Sequence, residues 1–205
     1  MATEIEVANA AAVHMGAPGR LTSLNDDRPV ARALASIWTL ARRTAIRDGT
    51  WNFARRRGPL AQLADVPAPE IYPYTVAFRE PAESVRLLEI MGVGRDAYAL
   101  EGGRILCSAG APLYARWLVD VPEPADWDDS FATAFARCLA WQAGPKVYGG
   151  DFDVTSAERA YRLALTRAKG TSAKENPTIG QDESSWITAR LGGSNYTAEA
   201  PWGQG

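Results

Sequence analysis

Residues able to do chemistry are few in this chain, and they are scattered. His14 is the only histidine, set near the end of an alanine-rich helical stretch where a cation favours the C-terminal dipole. An imidazole activates a nucleophile only beside a Ser, Cys or carboxylate partner, and no such partner is spaced to meet this one. The run MGVGRD at residues 91–96 carries a Gly-x-Gly behind an apolar stretch. A dinucleotide fingerprint requires a third glycine and a helix behind it, whereas residues 98–100 read as strand, so the run is expected to be a turn. Asp126, Asp128 and Asp129, and Asp151 with Asp153, could invite a cation. Both groups precede helical stretches and lack calcium-loop spacing, so helix capping is their expected role. Carboxylate pairs also hydrolyse glycosides, but nothing here selects one pair over another. No catalytic, metal or cofactor residue is therefore assigned.

The densest charge is basic. Arg42, Arg43, Arg47, Arg55, Arg56 and Arg57 gather around one helix end and the junction that follows it. Such a cluster can compensate the helix dipole and form ion pairs, or it can face DNA or an acidic partner. Stacking aromatics and a nucleic-acid motif are both missing from it, which favours the first role. A DNA-binding module using these six arginines stays as the alternative, because contacts to phosphates need charge but no sequence readout.

These groups must be positioned by a recognisable set of elements. A first helix is expected over about residues 4–15, opened by a Thr3/Glu6 capping box and stopped at Gly16. Ile5, Ala8, Ala12 and Met15 recur on one of its faces. Asn25, Asp26 and Asp27 then offer caps for a long helix with Pro29 in its first turn. Val30, Leu34, Ile37, Ala41 and Ala45 form its apolar stripe, Trp38 lies within it, and Gly49 ends it. Trp51 and Phe53 follow at once and are expected, with Trp38, to be packing anchors. Between residues 71 and 121 the texture changes to short strands at about 72–78, 85–91, 96–100, 104–107 and 113–119. Gly102-Gly103 is the best hairpin turn, since two glycines accept the positive φ of a primed turn. Helical pattern resumes at Asp126, with Trp127, Phe131, Ala134, Cys138 and Trp141 on one face and a kink or break expected at Gly144-Pro145. A last helix is expected near Thr155, with a Thr155/Glu158 capping box, Tyr161, Ala164, Leu165 and Ala168 inside, and Gly170 at its end.

The expected fold is α+β, mainly α. Residues 1–70 and 122–170 build a helical bundle, and residues 71–121 form a small antiparallel β insertion. Residues 171–205 form an extended C-terminal docking arm. That arm is polar and glycine-rich but carries Trp186, Ile187, Leu191, Tyr196 and Trp202. Large aromatics spaced along a polar segment suit an arm that orders on a partner.

Totals narrow the class. At 205 residues and 46% apolar composition the chain can bury a sizeable core. A net charge of -2 argues against wholesale nucleic-acid binding. Two cysteines, Cys107 in ILCSA and Cys138 in FARCLAW, are expected to be buried thiols in a reducing compartment. The acidic N-terminus MATEIEVANAA does not read as a secretion signal, and no window approaches a membrane span, so synthesis in the cytoplasm is expected.

Several of these segments together resemble a known family. EVANAAAVHMGAPG, LTSLNDD, the Ala/Arg helix and GTWNFARRRGPLAQL are similar in order and pattern to the head-to-tail adaptor proteins of tailed phages, of the tail tubular protein A type. YPYTVAF with its following proline, VRLLEI, YALEGGRILCSAGAPLYARWLVDV and DWDDSFATAFARCLAWQAG extend the likeness, which covers roughly residues 5–170. WNFA is its most specific piece. Where that family tends to place Leu-Pro, this chain has Phe78-Arg79-Glu80-Pro81. The resemblance implies a structural virion protein rather than an enzyme, assembled in the host cytoplasm and resident at the head–tail junction. It implies a dodecameric ring beneath the portal protein that extends the DNA channel, passes DNA without sequence specificity and receives the downstream tail or nozzle protein. The arm would reach the portal.

Overall fold

The computed structural model of the chain describes residues 2–64 and 66–175. The docking arm with Trp186, Ile187, Leu191, Tyr196 and Trp202 lies outside the described residues. About 49% of the structure is helical, accompanied by two antiparallel three-stranded sheets, which makes the fold α+β, mainly α.

Helix α1 (Glu4–His14) opens with the Thr3/Glu6 capping box, in which the Thr3 hydroxyl accepts from the Glu6 amide and the Glu6 carboxylate accepts from the Thr3 amide. It buries Val7, Ala8, Ala11 and Ala12. The chain then turns at Gly16, where φ is +75°. Asn9 holds the returning strand of chain, its amide exchanging two hydrogen bonds with the Leu21 backbone at 2.7 and 3.0 Å.

Helix α2 (Pro29–Asp48) starts without a side-chain cap. The acids before it have other work: Asp26 accepts from the Thr22 amide and hydroxyl, and Asp27 pairs with Arg32. Pro29 at the first helical position supplies the preset φ instead. Its stripe buries Val30, Leu34, Trp38, Ala41 and Ala45. Gly49 follows, and its missing Cβ is essential, because a Cβ there would sit 2.2 Å from the Trp51 indole.

Three strands form the first sheet in the order β1-β6-β3: β1 (Arg55–Pro59), β6 (Tyr114–Val119) and β3 (Ser84–Ile90). Strand β1, RRRGP, has no apolar alternation and was not anticipated. It exists because β6 offers an antiparallel edge, pairing Arg55 with Leu118 and Arg57 with Arg116. Gly58 lets Trp117 lie over it, with only 3.1 Å between the indole and an added Cβ. The second sheet, β2-β5-β4, comprises β2 (Val76–Arg79), β5 (Arg104–Cys107) and β4 (Tyr98–Glu101). Gly102 and Gly103, at φ +57° and +74°, close the β4–β5 hairpin. A one-turn helix, α3 (Ala68–Ile71), precedes β2. The insertion is thus two sheets, not one, and the first recruits a strand from the N-terminal segment.

Helix α4 (Asp129–Tyr148) is the hub, packing against α1, α2 and the last helix, α5 (Val154–Lys174). It runs through Gly144-Pro145 without ending. Pro145 falls in its final turn, where the lost amide removes one helical bond only. Gly144 is a notch rather than a breaker: a Cβ there would meet the Phe152 ring at 2.3 Å. Helix α5 is capped by Asp153, which accepts from the Ser156 amide at 2.9 Å, and not by Thr155 with Glu158. It continues past Gly170 because Asn52 holds its last turn, donating to the Ser172 carbonyl at 2.8 Å.

The core centres on Phe131 and Phe135, fully buried one turn apart on α4. Trp127 meets both rings edge-on at 5.2 Å, Trp38 meets Phe135 at 5.2 Å, and Trp51 meets Phe131 at 4.9 Å. Two buried indole nitrogens are satisfied, Trp51 donating to the Ala45 carbonyl at 3.0 Å and Trp127 to Val121 at 2.9 Å, while that of Trp117 has no partner among the described residues.

Gly49→Ala should therefore destabilise the protein by about 1–3 kcal/mol, since the Trp51 ring is fully enclosed and has nowhere to move. A fall of several degrees in the calorimetric melting temperature is expected; an unchanged value would show that the indole repacks freely.

Candidate functional site

The basic residues singled out in the sequence divide into three groups. Arg42 is buried inside the molecule and binds Asp120 through both edges of a fork, at 2.7 and 2.9 Å. It ties α2 to the end of β6, and it is not available to face a channel or DNA. Arg47 donates to the Val85 carbonyl at 2.8 Å while its own carbonyl accepts from Arg86 at 2.5 Å, so it laces the end of α2 to β3. Arg43, Arg56 and Arg57 are exposed, and Arg56 folds onto the Phe53 carbonyl at 3.1 Å. Arg55 is half-buried, donating to the Thr50 carbonyl at 3.2 Å.

Strand register then assembles a cluster that no linear segment contains. Arg55 and Arg57 on β1 pair with Leu118 and Arg116 on β6, and Arg86 and Glu89 on β3 pair with Leu118 and Arg116. Alternation puts Arg55, Arg57 and Arg116 on one face of the sheet, and the irregularity between Leu87 and Glu89 brings Glu89 onto that face with Arg86, three residues earlier. The opposite face, with Leu87, Ala115 and Trp117, joins the core. Arg55, Arg86 and Arg116, joined by Arg95 from the turn after β3, line a concavity of about 240 Å³. Glu89 is the one carboxylate among its described lining residues, and it already binds Arg116 at the Nε and Nη2 donors. Burial, followed by the charges of Arg116 and Arg57, lowers the Arg55 pKa from its ordinary value, while Glu89 opposes that shift.

Arg86, Arg95, Arg116 and Glu89 were missed in the sequence. Each is a single charge in an otherwise apolar or turn segment, and only cross-strand pairing brings them together. Gly92, at φ +77°, makes the MGVGRD run a turn leading into a short 3-10 segment at Arg95–Ala97 rather than a helix.

The remaining candidates have structural surroundings. His14 stands in the last turn of α1, where partial desolvation and then nearby Arg137 lower its pKa. Asp128 occupies the N-cap position of α4 but its carboxylate makes no cap bond. Burial, with Glu175 and Asp129 nearby, raises its pKa. Among the described residues no group of three or more His, Cys, Asp or Glu is arranged to hold a metal ion. Trp38 and Trp51 are buried and Phe53 is half-buried against the core, with its ring 5.0 Å from Phe131. Among the described residues no helix is long and apolar enough to cross a membrane.

No protein-family model matches this chain, and no curated protein matches it.

Cys138 and Tyr161 are both buried where α4 meets α5. Tyr161 donates to the Asp48 carboxylate at 3.0 Å, and Gln142 donates to the Cys138 sulfur at 3.3 Å. Burial pushes the Cys138 thiol up to about 12, so it stays protonated at pH 8 and lacks the thiolate that attacks disulfides. Cys107 is buried as well. With an aromatic disulfide reagent at pH 8, neither thiol should react in the native protein and both should react in denaturant. Rapid native labelling of Cys138 would contradict this placement.

Proposed function

We propose that this protein is a structural virion component, a head-to-tail adaptor. Its copies form a ring, dodecameric by the family resemblance, beneath a portal protein. The ring extends the DNA channel and receives the downstream tail or nozzle protein. The observation that carries this reading is that the resembling segments, spread over residues 5–170, fall on the elements of one fold. Val13 on α1, Leu40 on α2 and Leu163 on α5 are 72%, 69% and 52% exposed; α1 and α2 also bury an apolar face, whereas α5 buries only Tyr161, Ala168 and Ser172. Single exposed aliphatic side chains are ordinary on a protein surface, so these three mark where ring contacts are to be tested rather than a contiguous patch. Their distribution over three different helices suits a ring, in which each copy presents two different faces to its neighbours. The segments that carry the resemblance also fall on coherent elements, with WNFA forming the packed joint between α2 and β1.

Electron microscopy and mass photometry of the chain with and without its portal test this reading. Rings are expected with the portal. Leu40→Glu with Leu163→Glu should abolish them while leaving the circular dichroism spectrum unchanged. If the isolated chain, the portal mixture and the particle neck all lack a ring, the reading is wrong.

The arm supplies a second test. Ser172 is buried and Asn52 grips the last turn of α5, so a cut belongs after Glu175 rather than at Gly170. A chain ending at Glu175 should fold with the parent melting temperature yet bind the portal more weakly, with Trp186 and Trp202 as the principal lost anchors. Equal portal affinity would remove the arm, including Ile187, Leu191 and Tyr196, from the docking role.

One observation favours a second reading, a DNA-binding module: Arg56 and Arg57 are exposed on β1 beside the arginine-lined concavity. It requires salt-sensitive DNA binding by the monomer that disappears when Arg55, Arg56 and Arg57 become Ala.

A further inference from the structure

We propose that the concavity on the basic face of the first sheet is a binding site for a phosphate group. The group is carried either by a small free phosphate compound or by a nucleic-acid strand. This inference is independent of ring assembly and needs only the single chain.

Among the described residues, guanidinium groups from β1, β3, β6 and the turn after β3 border one space of about 240 Å³, with Glu89 as the carboxylate beside them. Gathering like charges at partly desolvated positions is unfavourable unless an anion joins them. Glu89 pairs with Arg116 and aims it, and among the described residues neither Arg86 nor Arg95 forms an ion pair with a carboxylate. Two further guanidiniums are held in place before any ligand arrives. Arg86 is fixed by the Arg47 carbonyl at 2.5 Å, and Arg55 by the Thr50 carbonyl at 3.2 Å. Ordering the donors in advance reduces the entropy lost on binding.

The ligand class follows from charge and shape. Planar guanidinium forks match the oxygen pairs of phosphate and carboxylate. A carboxylate brings one negative charge and two oxygens in a plane. A phosphate group offers oxygens on several sides, which suits donors converging from three strands and a turn. The space is a shallow, partly open hollow on the sheet face rather than a long stripe, so it fits one phosphate or a linked pair better than the regular row along a duplex.

Calorimetric titration of the full-length chain at low ionic strength tests the site, with sodium pyrophosphate as one probe and an oligothymidylate lacking terminal phosphates as the other. Arg95 is the residue to change, because it sits exposed on a turn and its removal leaves both sheets paired. Pyrophosphate should bind, and Arg95→Ala should weaken it about tenfold, as loss of a hydrogen bond to a charged group does. Arg95→Lys should recover part of the loss, since the charge remains but the fork does not. Arg43→Ala, on the exposed side of α2 and outside the hollow, should bind like the parent. If the oligonucleotide binds and pyrophosphate displaces it, the strand is the source of the phosphate. If pyrophosphate alone binds, a free phosphate compound is. Absence of pyrophosphate binding overturns the proposal, and so does binding that Arg95→Ala and Arg43→Ala weaken equally.

Discussion

The packing of aromatic rings around Phe131 and Phe135 is the constraint on which the rest of this molecule depends. The two phenyl rings lie nearly parallel at 5.9 Å on successive turns of α4. Each receives the edge of an indole from a different part of the chain: Trp127 from the lead-in to α4, Trp38 from α2 and Trp51 from the joint after α2. Edge-to-face contact places the positive ring edge on the negative face, and so it fixes orientation as well as distance. The direction in which the chain leaves α2 is set by this contact. Trp51 must reach Phe131, Gly49 must yield to its ring, and the next residues then run beside β6 as a strand.

Charge placement follows from that geometry. The arginine group that looks uniform in the sequence is divided by the fold into a buried tie, backbone laces and an exposed face. Arg42 has its charge met by Asp120 in a bidentate pair, which keeps a buried guanidinium tolerable. Arg47 and Arg86 exchange contacts with each other's backbone neighbourhoods and close the gap between α2 and β3. Arg55 and Arg57 reach the outer sheet face only because β1 pairs with β6 in this register; a one-residue slip would direct them into the core. The same register that completes the core therefore builds the basic hollow on the other side.

The described body thus combines a complete interior with two kinds of unusual surface. Aliphatic side chains stand outside α1, α2 and α5, and guanidiniums converge outside the first sheet. Three enclosed polar side chains, by contrast, have internal partners: Tyr161 donates to Asp48, Gln142 to Cys138, and the Asn52 amide nitrogen to the Ser172 carbonyl. Chemistry suited to contact with other molecules lies outside, and the groups within serve packing.

Long helices were legible because their apolar residues repeat at helical spacing, and the Thr3/Glu6 box and the Gly102-Gly103 turn were legible because each depends on neighbours in sequence. The helix ends were legible only in part. Asp26 and Thr155 look like caps locally, but the loops around them decide which amide each can reach. Strand β1 was invisible, since RRRGP has no strand character until β6 lies beside it. Gly144 read as a breaker because its close contact with Phe152 is not encoded at positions 143–146. Sequence alone determined the local elements and the aromatic residues available to join them, through backbone propensity and apolar periodicity that act over a few residues. Tertiary structure alone decided which arginines are buried and which converge, because register and burial are settled between segments, where an isolated charge carries no mark of its future neighbours.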